Sequence, residues 1–229
     1  MFRIIHLHPD FVVINKYPGV SVHKDDQDVM LVQEVCKSVN EMQLYLVHRL
    51  DKMTSGLLLL ARSPEAARLL SDAFAQRQVE KYYLAIGTKK PKKKQGLVCG
   101  DMVRSRRSAW KLTSGKENPA VTQFFSAAGE NGQRVFLCRP RTGKTHQIRV
   151  ALKSVGSPIL GDAIYNPASD ADRGYLHAFA LRFDYQEAAF SFVCDPREYD
   201  FTGSQWHQTT VSNAIDQWLS PWSLSWPER

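Results

Sequence analysis

The side chains of this chain that could do chemistry centre on one carboxylate. Asp51 lies in Val47-His48-Arg49-Leu50-Asp51-Lys52-Met53-Thr54-Ser55-Gly56, with Arg49 and Lys52 beside it. A carboxylate stays ionised at neutral pH and serves as nucleophile or base without a metal ion. The apolar residues 44–47 and 56–61 on either side read as two buried strands. A short loop between such strands holds a side chain rigidly and still lets it reach a cleft. An aspartate in a loop also bonds its own backbone in turns, so taken alone the position is open to both readings.

The longer string narrows the choice. His48-Arg49-Leu50-Asp51, followed after two residues by Thr54-Ser55-Gly56, resembles the active-site signature of the RluA-type pseudouridine synthases, which isomerise uridine in RNA. Upstream, Asn15-Lys16-Tyr17-Pro18-Gly19-Val20-Ser21-Val22-His23 is similar to that family's first block, although Tyr17 intervenes where proline usually follows lysine directly. Downstream, Val79-Glu80-Lys81-Tyr82-Tyr83-Leu84-Ala85 resembles the block that supplies an active-site tyrosine, here Tyr83. Arg139-Pro140-Arg141-Thr142-Gly143-Lys144-Thr145-His146-Gln147-Ile148-Arg149-Val150 is similar to the block that supplies the arginine partner of the aspartate, here Arg149, with Lys144 where arginine is more usual. Pro158-Ile159-Leu160-Gly161-Asp162 and Leu176-His177-Ala178 follow in the same order. The similarity runs from about the first ten residues to about residue 195.

The resemblance implies that Asp51, Tyr83 and Arg149 form the catalytic set, with RNA as partner and no metal or cofactor. Isomerising uridine means breaking the C1′–N1 bond, rotating the base and rejoining C1′ to C5. A pocket dry enough to retain the detached base favours a protonated carboxyl, so an opposite charge beside it is useful. An arginine can grip a carboxylate at two points and keeps its own proton. Tyr83 offers a flat face to the base and a hydroxyl for proton handling. A base stacked in RNA reaches a buried carboxylate only by turning out of its stack, at a cost of roughly a few kcal/mol. Arg49 is placed to fill the vacated space, and Lys16, Lys144, Arg104, Arg106 and Arg107 suit phosphates. A hydrolytic glycosidase would need a second carboxylate facing the first. Asp162 is the one acid in the later blocks, and a turn after Gly161 accounts for it. A catalytically silent RNA-binding relative is the competing class, and the intact set of three argues against it.

These groups need a scaffold. Residues 2–7 and 11–15 read as two strands joined by a turn at His8-Pro9-Asp10. Asp28 is placed to cap a short helix in which Leu31, Val32, Val35, Cys36 and Val39 share one face. Ser63 is a cap with Pro64 at the first helical position, and Ala66, Leu69, Leu70, Ala73 and Phe74 fall on one stripe. In a strand over 80–86, Tyr82 and Tyr83 point to opposite faces. Short strands near Val98 and over 110–112, 121–126 and 134–138 make a meander-like region. A helix over 145–155 buries Ile148, Ala151, Leu152 and Val155, putting His146, Arg149 and Lys153 on its other face. Strands over 176–185 and 189–194 and a helix carrying Val211, Ala214, Ile215, Trp218 and Leu219 close the chain. Strands outnumber helices without regular alternation, which points to an α+β fold. The resemblance implies a mixed, bent central sheet flanked by helices, with the cleft across its middle.

The 229 residues are enough for one sizeable core, and 43% hydrophobic with 23% charged residues excludes a disordered or fibrous chain. A net charge of +7 suits a polyanionic partner. Lys89, Lys90, Lys92, Lys93 and Lys94 read equally as a solvated hairpin tip or a phosphate-contacting loop, and the nearby arginines tilt the reading to phosphate. Four scattered cysteines with no Cys-x-x-Cys pair read as free thiols in a reducing compartment. No signal peptide or membrane span is visible. We therefore expect a cytoplasmic monomer with one catalytic domain over 1–229 and no small RNA-binding domain before the first block. Residues 196–229 would form a C-terminal helix and a tail of unassigned role.

Overall fold

The structure, a computed structural model, describes residues 1–22 and 31–228, apart from the side chain of Asp200. The strands β1 (Phe2–Leu7) and β2 (Phe11–Lys16) form an antiparallel hairpin closed at His8-Pro9-Asp10. Helix α1 (Leu31–Ser38) follows, and the expected cap at Asp28, like His23 of the first block, lies outside the described residues. The expected strand at 44–47 is only the two-residue β3 (Tyr45–Leu46), because the chain turns away from its partner β4 (Ser55–Ala61) to make the loop that carries Asp51. Helix α2 (Pro64–Ala75) begins as its sequence predicts, with Ser63 Oγ accepting the Ala66 N–H at 3.1 Å.

Beyond α2 come β5 (Glu80–Gly87), β6 (Gln95–Gly100), β7 (Met102–Arg104), β8 (Trp110–Leu112), β9 (Ala120–Ala128) and β10 (Arg134–Pro140). Helix α3 (Gln147–Ser154), strands β11 (Leu176–Tyr185) and β12 (Ala188–Val193), and helix α4 (Thr209–Asp216) complete the chain. Ten strands join one sheet in the order β1-β2-β4-β11-β5-β10-β9-β6, with β12 on β11 and β3 on β4, while β7 and β8 form a separate hairpin. Among the described residues β4 and β11 run parallel and the other pairings are antiparallel. The fold is thus the mixed α+β sheet flanked by helices that the sequence predicts.

Strands β2 and β4 are buried along their whole length because both sheet faces are covered. Phe11, Val13, Leu57 and Leu59 pack with Ala66 and Leu70 of α2, while Val12, Ile14, Leu58 and Leu60 pack with Leu31, Val35 and Cys36 of α1. The parallel pairing of β4 with β11 depends on Gly56. Its φ is +105°, and a Cβ there would stand 2.2 Å from the Ala178 carbonyl oxygen.

The helix expected over 145–155 starts two residues late, because His146 takes a left-handed conformation at φ 57°. Its last expected residue, Val155, caps the C-terminus. Leu219 does not share the apolar face of α4: the helix stops at Asp216 and Leu219 is exposed. The unassigned tail is part of the core. Trp226 packs on Tyr82 and Phe125 at ring separations of 5.7 and 4.9 Å, and its indole N–H donates to the Pro221 carbonyl at 2.9 Å. No helix among the described residues is long and apolar enough to cross a membrane.

Candidate active site

The loop between β3 and β4 is braced from behind by two buried cations. Lys16 lies at the end of β2 opposite Gly56, and its ammonium donates to the carbonyls of Tyr17, Val20 and Lys52 at 3.0, 2.7 and 3.3 Å. Arg173 donates to the Met53 carbonyl at 3.1 Å, to Ser55 Oγ at 2.8 Å and to the Leu176 carbonyl at 2.9 Å. Buried backbone carbonyls need donors, and these two side chains supply them around the loop. The Asp51 carbonyl accepts the Thr54 N–H at 2.9 Å, so the turn is closed by backbone while the Asp51 side chain reaches for Arg149.

Arg149 sits in the first turn of α3, and its guanidinium joins two aspartates. Nη1 donates to Asp51 Oδ2 at 3.1 Å, while Nε and Nη2 both donate to the Asp162 carboxylate at 2.8 Å. The two-point grip expected on Asp51 is therefore made on Asp162. Asp162 is fully buried and also accepts the N–H groups of Ile164 and Tyr165 at 3.0 and 3.1 Å. Burial alone would raise its carboxyl, but the bonds and charge of Arg149 hold it below the ordinary carboxylate range. Reading Asp162 as a turn residue is thus a correction: its charge anchors Arg149 and leaves one guanidinium nitrogen for Asp51. The signal missed was its place in a block alongside Arg149, with no other acid there to partner a buried arginine.

Gln147 fixes the segment leading into α3. Its side-chain oxygen accepts from Thr142 Oγ1 at 2.7 Å and from the Lys144 N–H at 3.0 Å, and its amide nitrogen donates to the Val121 carbonyl at 3.0 Å. Tyr165 supports the guanidinium from one side, with the Arg149 carbon 5.0 Å from the ring centroid. The Tyr165 hydroxyl accepts the Trp110 N–H at 2.9 Å and lies 2.9 Å from His146 Nδ1. Burial and the Arg149 charge lower the His146 pKa, so a neutral ring accepting the tyrosine proton fits this arrangement.

A cavity of about 550 Å³ opens over these groups, within the size range of small-ligand sites. Asp51, Tyr83, Arg149, Arg49 and Lys144 all line it, with Ile148 and Leu176 among its apolar walls. Tyr83 faces the cavity from the middle of β5, and burial followed by the Asp51 charge raises its phenol. Tyr82 points the other way, into the core against Trp226, and its hydroxyl donates to Glu80 at 2.6 Å. The Asp51 side chain keeps 22% of its surface, enough to meet a ligand in the cavity.

The other expected RNA contacts separate into three groups. Arg49 is exposed at the cavity edge, and Lys144 Nζ donates to Asn118 at 2.6 Å. Arg104, Arg106 and Arg107 lie on the exposed β7–β8 hairpin outside the cavity, which is tied to the site through the Trp110–Tyr165 bond. Arg104 also covers the Trp110 ring at 5.7 Å. Lys16 is a correction: it is fully buried and its ammonium faces three carbonyls, so no phosphate reaches it. The five lysines over 89–94 are exposed but line no part of this cavity; the Lys92 N–H donates to Val155 at the far end of α3 from the Arg149 turn.

Burial, then the Arg173 charge, brings the Lys16 amine down to about 7. An amine that is harder to protonate folded than unfolded costs stability wherever both states are charged, which is below about pH 7. That cost is relieved as pH rises towards the ordinary lysine value of roughly 10.4. The wild-type chain should accordingly gain stability relative to Lys16→Met over this window. Denaturant midpoints that differ by the same amount at every pH would contradict it.

A mixed sheet with an aspartate, a tyrosine and an arginine converging on one cavity defines a class. The chain belongs to the RNA pseudouridylate synthase family, whose sequence profile matches residues 10–154, and the RluA-type resemblance holds. Members of this family are isomerases. The chain is 47% identical over 224 residues, 97% of its own length and 98% of the relative's, to a protein of Haemophilus influenzae named as an uncharacterized RNA pseudouridine synthase. It is 36% identical to ribosomal large subunit pseudouridine synthase C of Rickettsia bellii, over 71% of this chain and 56% of that one. The fold is similar to that of human RNA pseudouridylate synthase domain containing 1, with a TM-score of 0.75 at 25% identity, covering 96% of this chain and 94% of that one.

Proposed function

We propose that this chain isomerises specific uridines of ribosomal or transfer RNA to pseudouridine, with Asp51 as the reacting carboxylate. The observation that carries the reading is the convergence of Asp51, Tyr83 and Arg149 on one cavity in a chain of this family. In this reading Arg149 holds Asp51 aimed at the ribosyl–uracil unit, and Tyr83 lays its ring against the base. Arg49 enters the stack that the base leaves, while Lys144 and the β7–β8 arginines bind backbone phosphates. Four free cysteines, three of them buried, suit action in a reducing cytoplasm. We take the acting species to be a monomer with a single catalytic domain.

The direct test compares pseudouridine maps of ribosomal and transfer RNA from cells with and without the protein. Loss of modification at particular uridines, restored by the purified chain, is the expected result. Identical maps, together with no product in vitro, would favour a silent RNA-binding protein. The same assay separates the two tyrosines. Tyr83→Phe should lower activity severely while Tyr82→Phe stays near wild type, because only the first reaches the cavity. Equal losses would show that the Tyr83 hydroxyl has no special part.

A further inference from the structure

The cavity extends past Tyr83 into a second lobe that the catalytic set does not use. Phe74 at the end of α2, Arg77 just beyond it and Lys81 at the start of β5 line this lobe, and Arg49 stands between it and Asp51. Lys81 shares the cavity face of β5 with Tyr83 because strand side chains two apart point the same way, with Cα atoms roughly 7 Å apart. Arg77 is exposed and takes a left-handed backbone at φ 62°.

The charges of this lobe are uncompensated. Arg149 has two aspartates, Arg139 has Glu80, and Lys16 and Arg173 have backbone carbonyls. Lys81 is half-buried, yet among the described residues its ammonium makes no ion pair or hydrogen bond and lies over the Phe74 ring at 5.8 Å. Burial and the neighbouring Arg77 charge both disfavour its ammonium form. A desolvated cation beside a second cation is costly without an anion, and the cavity is open to receive one.

We propose that this lobe binds the phosphodiester of a nucleotide flanking the one presented to Asp51, with Lys81 and Arg77 as its two cationic contacts. The inference rests on the reading of the cavity as a uridine site in RNA. It adds a phosphate contact one strand position from the tyrosine, so that the chain is held at the reacting nucleotide and beside it. Phe74 forms an apolar wall against which the Lys81 stem lies.

The test uses the full chain and a fluorescein-labelled single-stranded oligouridylate, with binding followed by anisotropy over a series of salt concentrations. Arg77→Gln and Lys81→Met should each lower the slope of log affinity against log salt by about 0.7, and the double variant by about 1.4. Lys81→Met should also keep or raise the melting temperature, since it removes a buried charge that has no partner. A structural lysine would do the reverse, lowering the melting temperature and leaving the slope alone. Arg77 is exposed, so Arg77→Gln tests the lobe even if the other variant folds poorly. Unchanged slopes alongside normal pseudouridine formation would overturn the lobe alone. Reduced slopes without pseudouridine formation by the wild type would support the phosphate contact and defeat the isomerase reading.

Discussion

Asp51→Asn should abolish pseudouridine formation while leaving RNA affinity within a few-fold of wild type. The substitution keeps the shape and the turn, whose closing bond runs between the Asp51 carbonyl and the Thr54 N–H. It removes the charge that acts as nucleophile or base. Binding should survive because attraction to a polyanion comes from cations, and Arg49 and Lys144 at the cavity are untouched. The measurement pairs a product assay on RNA from cells lacking the protein with a binding titration. Product formed at an appreciable rate by a clean preparation would remove Asp51 from the reaction.

Asp162→Asn should be nearly as damaging to activity, and unlike the first variant it should also weaken the fold. Asp162 is completely buried and takes two of the three bonds that Arg149 gives to aspartates. Removing one partner of such a pair typically costs about 3–5 kcal/mol, because the other charge is left buried. A guanidinium released from its anchor no longer holds Asp51 in one place, and misplacement by about 1 Å costs on the order of a hundredfold in rate. Denaturant unfolding and product assays at a temperature where the variant stays folded read the two effects separately.

The pH dependence has a defined sign. The Asp162 pKa is lower folded than unfolded, so its stabilising contribution is present above the unfolded value and lost as pH falls through the folded one. The wild type should therefore lose its advantage over Asp162→Asn in acid. A variant as stable and active as wild type at neutral pH would return Asp162 to the role of a turn residue. It would also leave Arg149 held by Asp51 alone.

What the sequence by itself determines here is local. The unbroken apolar run of β4, the Ser63 cap followed by Pro64, and the alternation that sends Tyr82 and Tyr83 to opposite faces follow from side-chain period and hydrogen-bonding chemistry within a few residues. The blocks around Asp51, Tyr83 and Arg149 are legible for a different reason, their resemblance to a family, which names residues without saying what each touches.

Only the tertiary structure decides the partners. Arg149 meets Asp51 across 98 residues of sequence, and whether its fork closes on that carboxylate or on Asp162 depends on where the segment after α3 returns. Lys16 looks the same in sequence whether it points to solvent or into the carbonyls of Tyr17, Val20 and Lys52; burial of β2 on both faces sends it inward. Arg173 braces the Asp51 loop from a segment with no periodic signal at all. Periodicity reports which face a side chain occupies, but charges and hydrogen bonds are satisfied by whatever the fold brings across from that face, and this is set by the pairing of strands distant in sequence.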